Sequence, residues 1–280
     1  MAQQVTLTAT AAMGLESVVA SEVKQLGYEV EVDNGKVTFD APISAIPRCN
    51  LWLRSADRVK LQAGRFQAVT FDELFEKTKA LPWENFIMED GKFPVSGKSV
   101  KSELHSVPDC QAIVKKAIAE RLKLKYGVAG NLPETSALFK VEVALHKDEA
   151  TLTIDTSGTG LHKRGYRVSQ GEAPLKETMA AALILLTNWK PDYPLLDPFC
   201  GSGTSRLKQH LSGRILPLVS TAHLLPRIGD GLEISTGMKP LKKWKIRLIM
   251  IRNLPLPERI SITTWPLPQR RMPWKPDLGI

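Results

Sequence analysis

Cysteine is scarce in this chain: Cys49, Cys110 and Cys200 are widely spaced and odd in number. That excludes a disulfide framework and a Cys-x-x-Cys metal site. The five His residues have no metal-ligand spacing, so no metal is expected. Long apolar runs are missing as well. The longest, Met179–Leu186, falls far short of the roughly 20 residues a membrane span needs. Met1–Thr10 has no charged-then-apolar leader. No membrane partner and, by default, a cytoplasmic location are expected. What is present is 43% hydrophobic residues over 280 positions, enough to bury two or three cores rather than one.

The net charge of +9 suggests a nucleic-acid partner until its distribution is examined. Residues 205–280 hold 14 Lys+Arg and 4 Asp+Glu, which leaves 24 basic and 25 acidic residues in 1–204. The excess lies wholly in the tail, along with nine of the 19 Pro.

Val5–Thr10 alternates as a strand, and after Gly14 the residues Leu15, Val18, Val19, Val23 and Leu26 recur at helical spacing. Gly27 closes that helix. Val30–Val32 and Val37–Phe39 flank Asn34–Gly35 as a hairpin, a second helix is predicted near Ile43–Leu53, and Val59–Gln67 returns as a strand. The order predicts a small α+β unit over 1–68, with helices on one face of an antiparallel sheet. A second unit, 69–158, begins with a helix at Phe71–Ala80 and a strand at Phe93–Val95. It continues with a helix at Asp109–Leu124 whose apolar face is Ile113, Ala117, Ile118 and Leu122, leaving Lys115, Lys116 and Lys123 to solvent. Phe139–Leu145 and Ala150–Asp155 form a hairpin around Lys147–Asp148. A basic segment, Leu161–Arg167, leads to a helix introduced by Pro174 and containing Lys176–Leu186, ended by Pro191–Pro194. After Thr204 proline recurs within would-be elements at Pro255, Pro257, Pro266, Pro268, Pro273 and Pro276 and no βα alternation survives, so 205–280 does not read as a packed domain.

The chemistry is concentrated where Leu195–Leu196, a short apolar strand, runs into Asp197-Pro-Phe-Cys-Gly-Ser-Gly-Thr204. A strand ending in an acidic residue, followed by a glycine-rich turn, is the arrangement of a nucleotide-like cofactor site at a sheet's carboxyl edge. A bare Gly-x-Gly also occurs in ordinary tight turns. No Lys follows the glycines, which argues against a phosphate loop. The octet resembles the methyl-donor motif of amino-methyltransferases that act on nucleic-acid bases. Gly160-Leu-His-Lys-Arg-Gly-Tyr-Arg167 and Ala173-Pro-Leu-Lys-Glu-Thr178 resemble the segment preceding it in the THUMP-containing ribosomal RNA guanine methyltransferases. The resemblance covers about residues 4–204.

That resemblance implies a ferredoxin-like unit and a THUMP domain, followed by an incomplete α/β Rossmann-like methyltransferase domain starting in 159–204. It implies S-adenosylmethionine as cofactor, with Asp197, Gly201 and Gly203 lining its methionine end. Pro198, Phe199, Cys200, Ser202 and Thr204 would shape the loop, and Lys176, Glu177 and Thr178 would lie beside the donor. A flipped guanine would present its exocyclic amine. For structured RNA, expected to be ribosomal, it implies contacts from Lys98, Lys101, Ser102, Lys115, Lys116, His162, Lys163 and Arg164, which would hold phosphates without reading sequence. The alternative for any single Lys is a solvated charged face, and for His162 a linker contact.

Such an enzyme next requires an acidic strand end for the donor's ribose and an Asn/Asp-Pro-Pro-aromatic loop; the chain contains no Pro-Pro dipeptide. No catalytic residue is therefore assigned. Our hypothesis for the break is a frameshift just after the Thr204 codon, with synonymous codons chosen freely. Joining the third base of each codon to the first two of the next, Arg206–Ala222 re-reads as Ser-Ala-Glu-Ala-Ala-Leu-Ile-Gly-Gln-Asn-Ile-Ala-Pro-Gly-Phe-Asn-Arg, and Arg259–Thr264 as Thr-Asp-Ile-Asp-His-Asn. Resequencing the gene tests this, and an intact frame in independent isolates would sink it. The functional expectation is an RNA-binding family member that is catalytically defective as encoded. The alternatives are an RNA-binding module alone and a relative of DNA adenine methyltransferases.

Overall fold

The alternation at Val5–Thr10 becomes the strand β1 (Gln4–Thr10), with Leu7 and Ala9 fully buried on one face and Thr6, Thr8 and Thr10 on the other. It is followed by α1 (Glu16–Gln25), β2 (Glu31–Asp33), β3 (Lys36–Pro42), α2 (Ala45–Trp52) and β4 (Arg58–Gln67). The second part comprises α3 (Phe71–Ala80), a 3-10 turn at Trp83–Asn85, β5 (Val95–Val100), α4 (Val107–Tyr126), β6 (Val141–His146) and β7 (Glu149–Asp155). One further helix, α5 (Glu177–Leu186), is present. This computed structural model describes residues 4–164 and 175–187, together with Trp189, Lys190, Tyr193 and Leu196. The loop Asp197–Thr204, Leu195 of the strand expected just before it and the tail 205–280 lie outside the described residues, while Leu196 is exposed and in no strand.

Local signals explain the helix bounds. Thr70 accepts from the Glu73 N–H at 3.2 Å while the Glu73 carboxylate accepts from the Val69 N–H at 3.1 Å, a reciprocal cap that starts α3 where the sequence predicts it. Pro108 sits in the first turn of α4, and Gly127, at φ 70°, closes it in a left-handed conformation that only glycine adopts without cost. The buried face of α4 is Cys110, Val114, Ala117, Ile118 and Leu122, with Ile113 only partly covered.

All seven strands form one sheet in the order β2-β3-β1-β4-β7-β6-β5, antiparallel except for the parallel β5–β6 pair. The two expected units thus share a sheet, joined where β4 pairs with β7. Their cores remain distinct. Leu7, Ala9, Val19, Val23, Val37, Phe39, Ile46, Cys49, Val59 and Leu61 form one. Leu74, Trp83, Phe93, Val114, Ile118, Leu122, Val143 and Leu152 anchor the other. Phe86 packs against both. The strand β5 is displaced from the predicted Phe93–Val95, sharing only Val95 with it, and continues through a glycine that α4 packs closely against: a Cβ at Gly97 would lie 3.1 Å from Gln111 and 3.3 Å from Val107.

The face away from α1–α4 is polar. Its charges pair across strands: Arg58 with Asp155, Arg65 with Glu149, and both Lys60 (2.7 Å) and Lys98 (3.4 Å) with Glu142. This side of the sheet is largely self-neutralised. No described helix is long and apolar enough to cross a membrane.

Candidate functional site

The structure gathers Lys98, Lys101 and Ser102 at one end of β5. Lys98 is exposed on that edge strand, with Glu142 3.4 Å from its Nζ. Lys101 is exposed at φ 53°. Ser102 is a brace: its hydroxyl donates to the Val100 carbonyl at 3.2 Å and accepts from the Asp148 N–H at 3.0 Å. Lys115 and Lys116 lie elsewhere, about two turns into α4. Lys115 is 3.4 Å from Glu134 and 5.7 Å above the Phe93 ring, and Lys116 lies 5.6 Å from the Phe75 ring, which Lys79 also approaches at 5.4 Å.

The segment after β7 does not leave the sheet as a free linker. Asn50 on α2 donates to the Ile46 carbonyl and to Thr156, both at 3.0 Å, and accepts from the Ser157 hydroxyl at 2.8 Å. That same hydroxyl accepts from the Val59 N–H at 2.8 Å, while Thr156 donates to the Val59 carbonyl at 2.7 Å. Every polar atom of the buried Asn50 side chain therefore has a partner, as a buried amide requires. Leu161 follows into the first core, and its N–H donates to the Asp57 carbonyl at 2.9 Å.

Of the three residues expected to meet RNA here, only Lys163 is exposed. His162 is half-buried against Gly160, its Nδ1 shielded and without a hydrogen-bond partner. Arg164 requires a correction. It was expected to face RNA phosphate, but its side chain is 2% exposed and turned inwards. Its guanidinium donates to the carbonyls of Leu161 (2.7 Å), Asn50 (3.0 Å), Leu51 (3.2 Å) and Leu53. The last turn of α2 leaves carbonyls without helical partners and carries partial negative charge, so a buried guanidinium is well placed there. Glu22 of α1 serves the complementary role on the same stretch, its buried carboxylate accepting from the N–H groups of Arg54 (3.1 Å) and Ser55 (2.8 Å). The sequence reading missed both Glu22 and Asn50, since neither belongs to a motif.

The helix α5 starts at the expected donor-side residues. Lys176 precedes it and is exposed, Glu177 is buried, and the Thr178 hydroxyl donates to Asp57 at 2.7 Å. Thr178 thus makes its described contact with the ferredoxin-like part. Ala180, Ala181, Ala182 and Ile184 are buried, while Leu175, Leu183 and Leu186 remain exposed. The loop Asp197–Thr204 that should complete a donor site lies outside the described residues. Among the described residues no group of His, Cys, Asp and Glu could hold a metal.

Several carboxyls on these surfaces are held below their usual range. Hydrogen bonds from Arg121 lower Glu84, and those from Arg65 lower Glu149. At Glu142 burial pushes upward most strongly, but Lys60 and Lys98 together outweigh it and the net shift is downward. A carboxyl depressed in the folded state contributes stability above its unfolded pKa, and that contribution disappears as pH falls through the folded value. Thermal stability should therefore hold near neutral pH and decline below the ordinary glutamate value of 4.5. In a Tm-against-pH series, Glu142→Gln should flatten this acid limb; an unchanged limb would remove Glu142 from the account.

Three domain families match in order along the chain: the RlmL ferredoxin-like domain over residues 6–60, the THUMP domain over 68–155 and the RMKL-like, methyltransferase domain over 164–212. Residues 6–212 therefore carry, in order, a ferredoxin-like domain, a THUMP domain and part of a methyltransferase domain. The chain is 65% identical over 210 residues to "Putative RNA methyltransferase YpsC" of Bacillus subtilis (strain 168), covering 75% of this chain and 54% of that protein. A crystal structure from Listeria monocytogenes, described as a predicted N6-adenine-specific DNA methylase, superposes with TM-score 0.74 at 63% identity, covering 77% of this chain and 57% of that one. SMU.472, described as a putative methyltransferase complexed with SAH, superposes with TM-score 0.76 at 45% identity, covering 82% and 62%. The chain spans about half the length of the Bacillus relative.

Proposed function

We propose that this chain is the RNA-binding half of an S-adenosylmethionine-dependent RNA methyltransferase, joined to the start of its catalytic domain and defective in methyl transfer as encoded. The observation that carries the reading is the continuous sheet uniting a ferredoxin-like part with a THUMP domain, to which α5 is fastened through Thr178 and Asp57. Lys98, Lys101 and Lys163 display positive charge at its surface. Such cations hold backbone phosphates and set the register of an RNA without selecting its sequence. The cofactor would supply the methyl group; the residues proposed to hold it are Asp197–Thr204, with Lys176, Glu177 and Thr178 beside them. The substrate class proposed is ribosomal RNA, with a guanine exocyclic amine as acceptor.

Purified chain should bind a structured RNA with strong salt dependence. It should transfer no labelled methyl group from S-adenosylmethionine, and calorimetric titration with the donor should give weak or absent binding. Micromolar donor affinity or measurable transfer would overturn the defective assignment. A preference for duplex DNA over RNA would favour the DNA adenine methyltransferase relationship instead.

A further inference from the structure

We propose that the corner formed by Val100–Glu103 and the Lys147–Asp148 turn is a phosphate-gripping clasp for RNA, with Lys101 and Lys147 as its gripping side chains. The proposal rests on the RNA-binding reading above, which already includes Lys101, and extends it to Lys147 and to the frame that holds the two together. Backbone conformation draws attention to the corner first. Among the described residues, the non-glycine positions with positive φ are Lys101 (53°), Glu134 (41°), Lys147 (52°) and Asp148 (62°). Three of these four meet here. Left-handed backbone is costly for a side chain as long as Lys, and such strain persists only where the surroundings enforce it.

The surroundings do enforce it, through Asp148. Its N–H donates to the Ser102 hydroxyl at 3.0 Å, its carboxylate accepts from the Glu103 N–H at 2.7 Å, and its carbonyl accepts from the Ala68 N–H at 2.8 Å. The Lys147 N–H reaches the Val100 carbonyl at 3.3 Å. Two chain segments, Val100–Glu103 and the one at Ala68, are thus tied to one two-residue turn, and the carboxylate contact to the Glu103 N–H explains why Asp stands at 148. Nothing comparable explains Lys147. A hairpin turn with both central residues left-handed favours Asn-Gly, not Lys-Asp. The Lys147 side chain is exposed, and neither it nor Lys101 makes an ion pair among the described residues, in contrast to Lys60, Lys79, Lys98 and Lys115.

The electrostatics of the corner favour an anion. The exposed His105 and His146 flank the two lysines. The acids nearby are Glu103, exposed, Asp148, already accepting a backbone N–H, Glu149, already paired with Arg65, and Asp33, which is within electrostatic reach of His146 and is already paired with Lys36. α3 begins three residues after Ala68 and α4 soon after Glu103, so both helices turn their N-terminal, partly positive ends toward this edge. A rigid frame presenting two unpaired ammonium groups suits a phosphodiester backbone.

The test pairs stability against binding. Lys101→Asn and Lys147→Asn install a residue that tolerates left-handed backbone while removing the charge. Combined in the full chain, they should leave Tm unchanged or raise it by about 2 °C. They should weaken binding of a structured RNA hairpin, read by fluorescence anisotropy, roughly tenfold. The slope of log affinity against log salt should fall by about two, one phosphate per lysine. Lys125→Asn, the same charge change at the far end of α4, should shift affinity less than twofold. Wild-type affinity and slope in the double variant would overturn the clasp, as would an equal loss in Lys125→Asn. A fall in Tm would overturn the strain argument behind it. Failure of the unaltered chain to bind RNA would instead overturn the RNA-binding reading, and the clasp with it.

Discussion

Replacing Arg164 with Leu should destabilise the protein by on the order of 3 kcal/mol, lowering Tm by roughly 10 °C. The side chain is 2% exposed and its guanidinium satisfies the carbonyls of Asn50, Leu51, Leu53 and Leu161. Leucine would fill much of the space and leave these acceptors in an apolar setting, each unsatisfied group costing about 1–3 kcal/mol, less whatever entering water recovers. Lysine at this position would keep the charge but not the planar fork, so Arg164→Lys should fall between wild type and Arg164→Leu. Differential scanning calorimetry gives the magnitude. Hydrogen exchange gives the location: protection should be lost first at the end of α2 and at Leu161, whose N–H holds Asp57. A loss under 1 kcal/mol, or one spread evenly over the sheet, would show that the guanidinium is not the fastening.

The sequence motif around Arg164 pointed to the right part of the molecule and the wrong surroundings. Three consecutive basic or polar side chains, His162, Lys163 and Arg164, read as one RNA-facing surface, and the structure divides them among a shielded, an exposed and a buried position. Charge alone does not carry that information. Arg164 is buried because the folded chain brings a helix end within its reach, and the acceptors there are backbone carbonyls that no side-chain pattern announces. Glu22 escaped for the same reason, since its partners are the N–H groups of Arg54 and Ser55.

Where local physics decides the outcome, the elements were readable. The Thr70 cap and the flanking charges set α3 at Phe71–Ala80 as predicted, and the Lys147–Asp148 hairpin stands between β6 and β7. Where pairing is remote, they were not. The joining of two units into one sheet depends on β4 meeting β7 through backbone hydrogen bonds, and the register from Lys60 opposite Asp155 to Gln67 opposite Glu149 absorbs a shift near Gln62–Gly64. The polar run Ser96-Gly-Lys-Ser99 lacks strand alternation because β5 is an edge strand whose inner face must admit α4 at Gly97. The donor octet, the most informative motif in the sequence, lies outside the described residues, so its role rests on resemblance and relatives.

The other large effect is expected at Trp83, which the sequence reading did not single out. Trp83 is fully buried in the second core, its indole N–H donates to the Thr78 carbonyl at 2.7 Å, and Phe86 meets it edge-on at 6.4 Å. It fixes the 3-10 turn between α3 and β5, which Tyr126 holds from the other side through the Ile87 carbonyl at 2.8 Å. Trp83→Ala should cost about 3–5 kcal/mol, the range for a large aromatic removed from a core that cannot collapse around the cavity. Trp83→Phe should cost less, since it keeps much of the ring volume while losing the hydrogen bond. Because β4 and β7 pair across the two cores and Phe86 touches both, unfolding in the Trp83→Ala variant should remain one cooperative calorimetric transition at lower temperature. Two transitions, with hydrogen-exchange protection kept in β1 and β3 and lost in β5 and β6, would mean that the continuous sheet does not couple the cores, and that the THUMP part can open on RNA while the ferredoxin-like part stays folded.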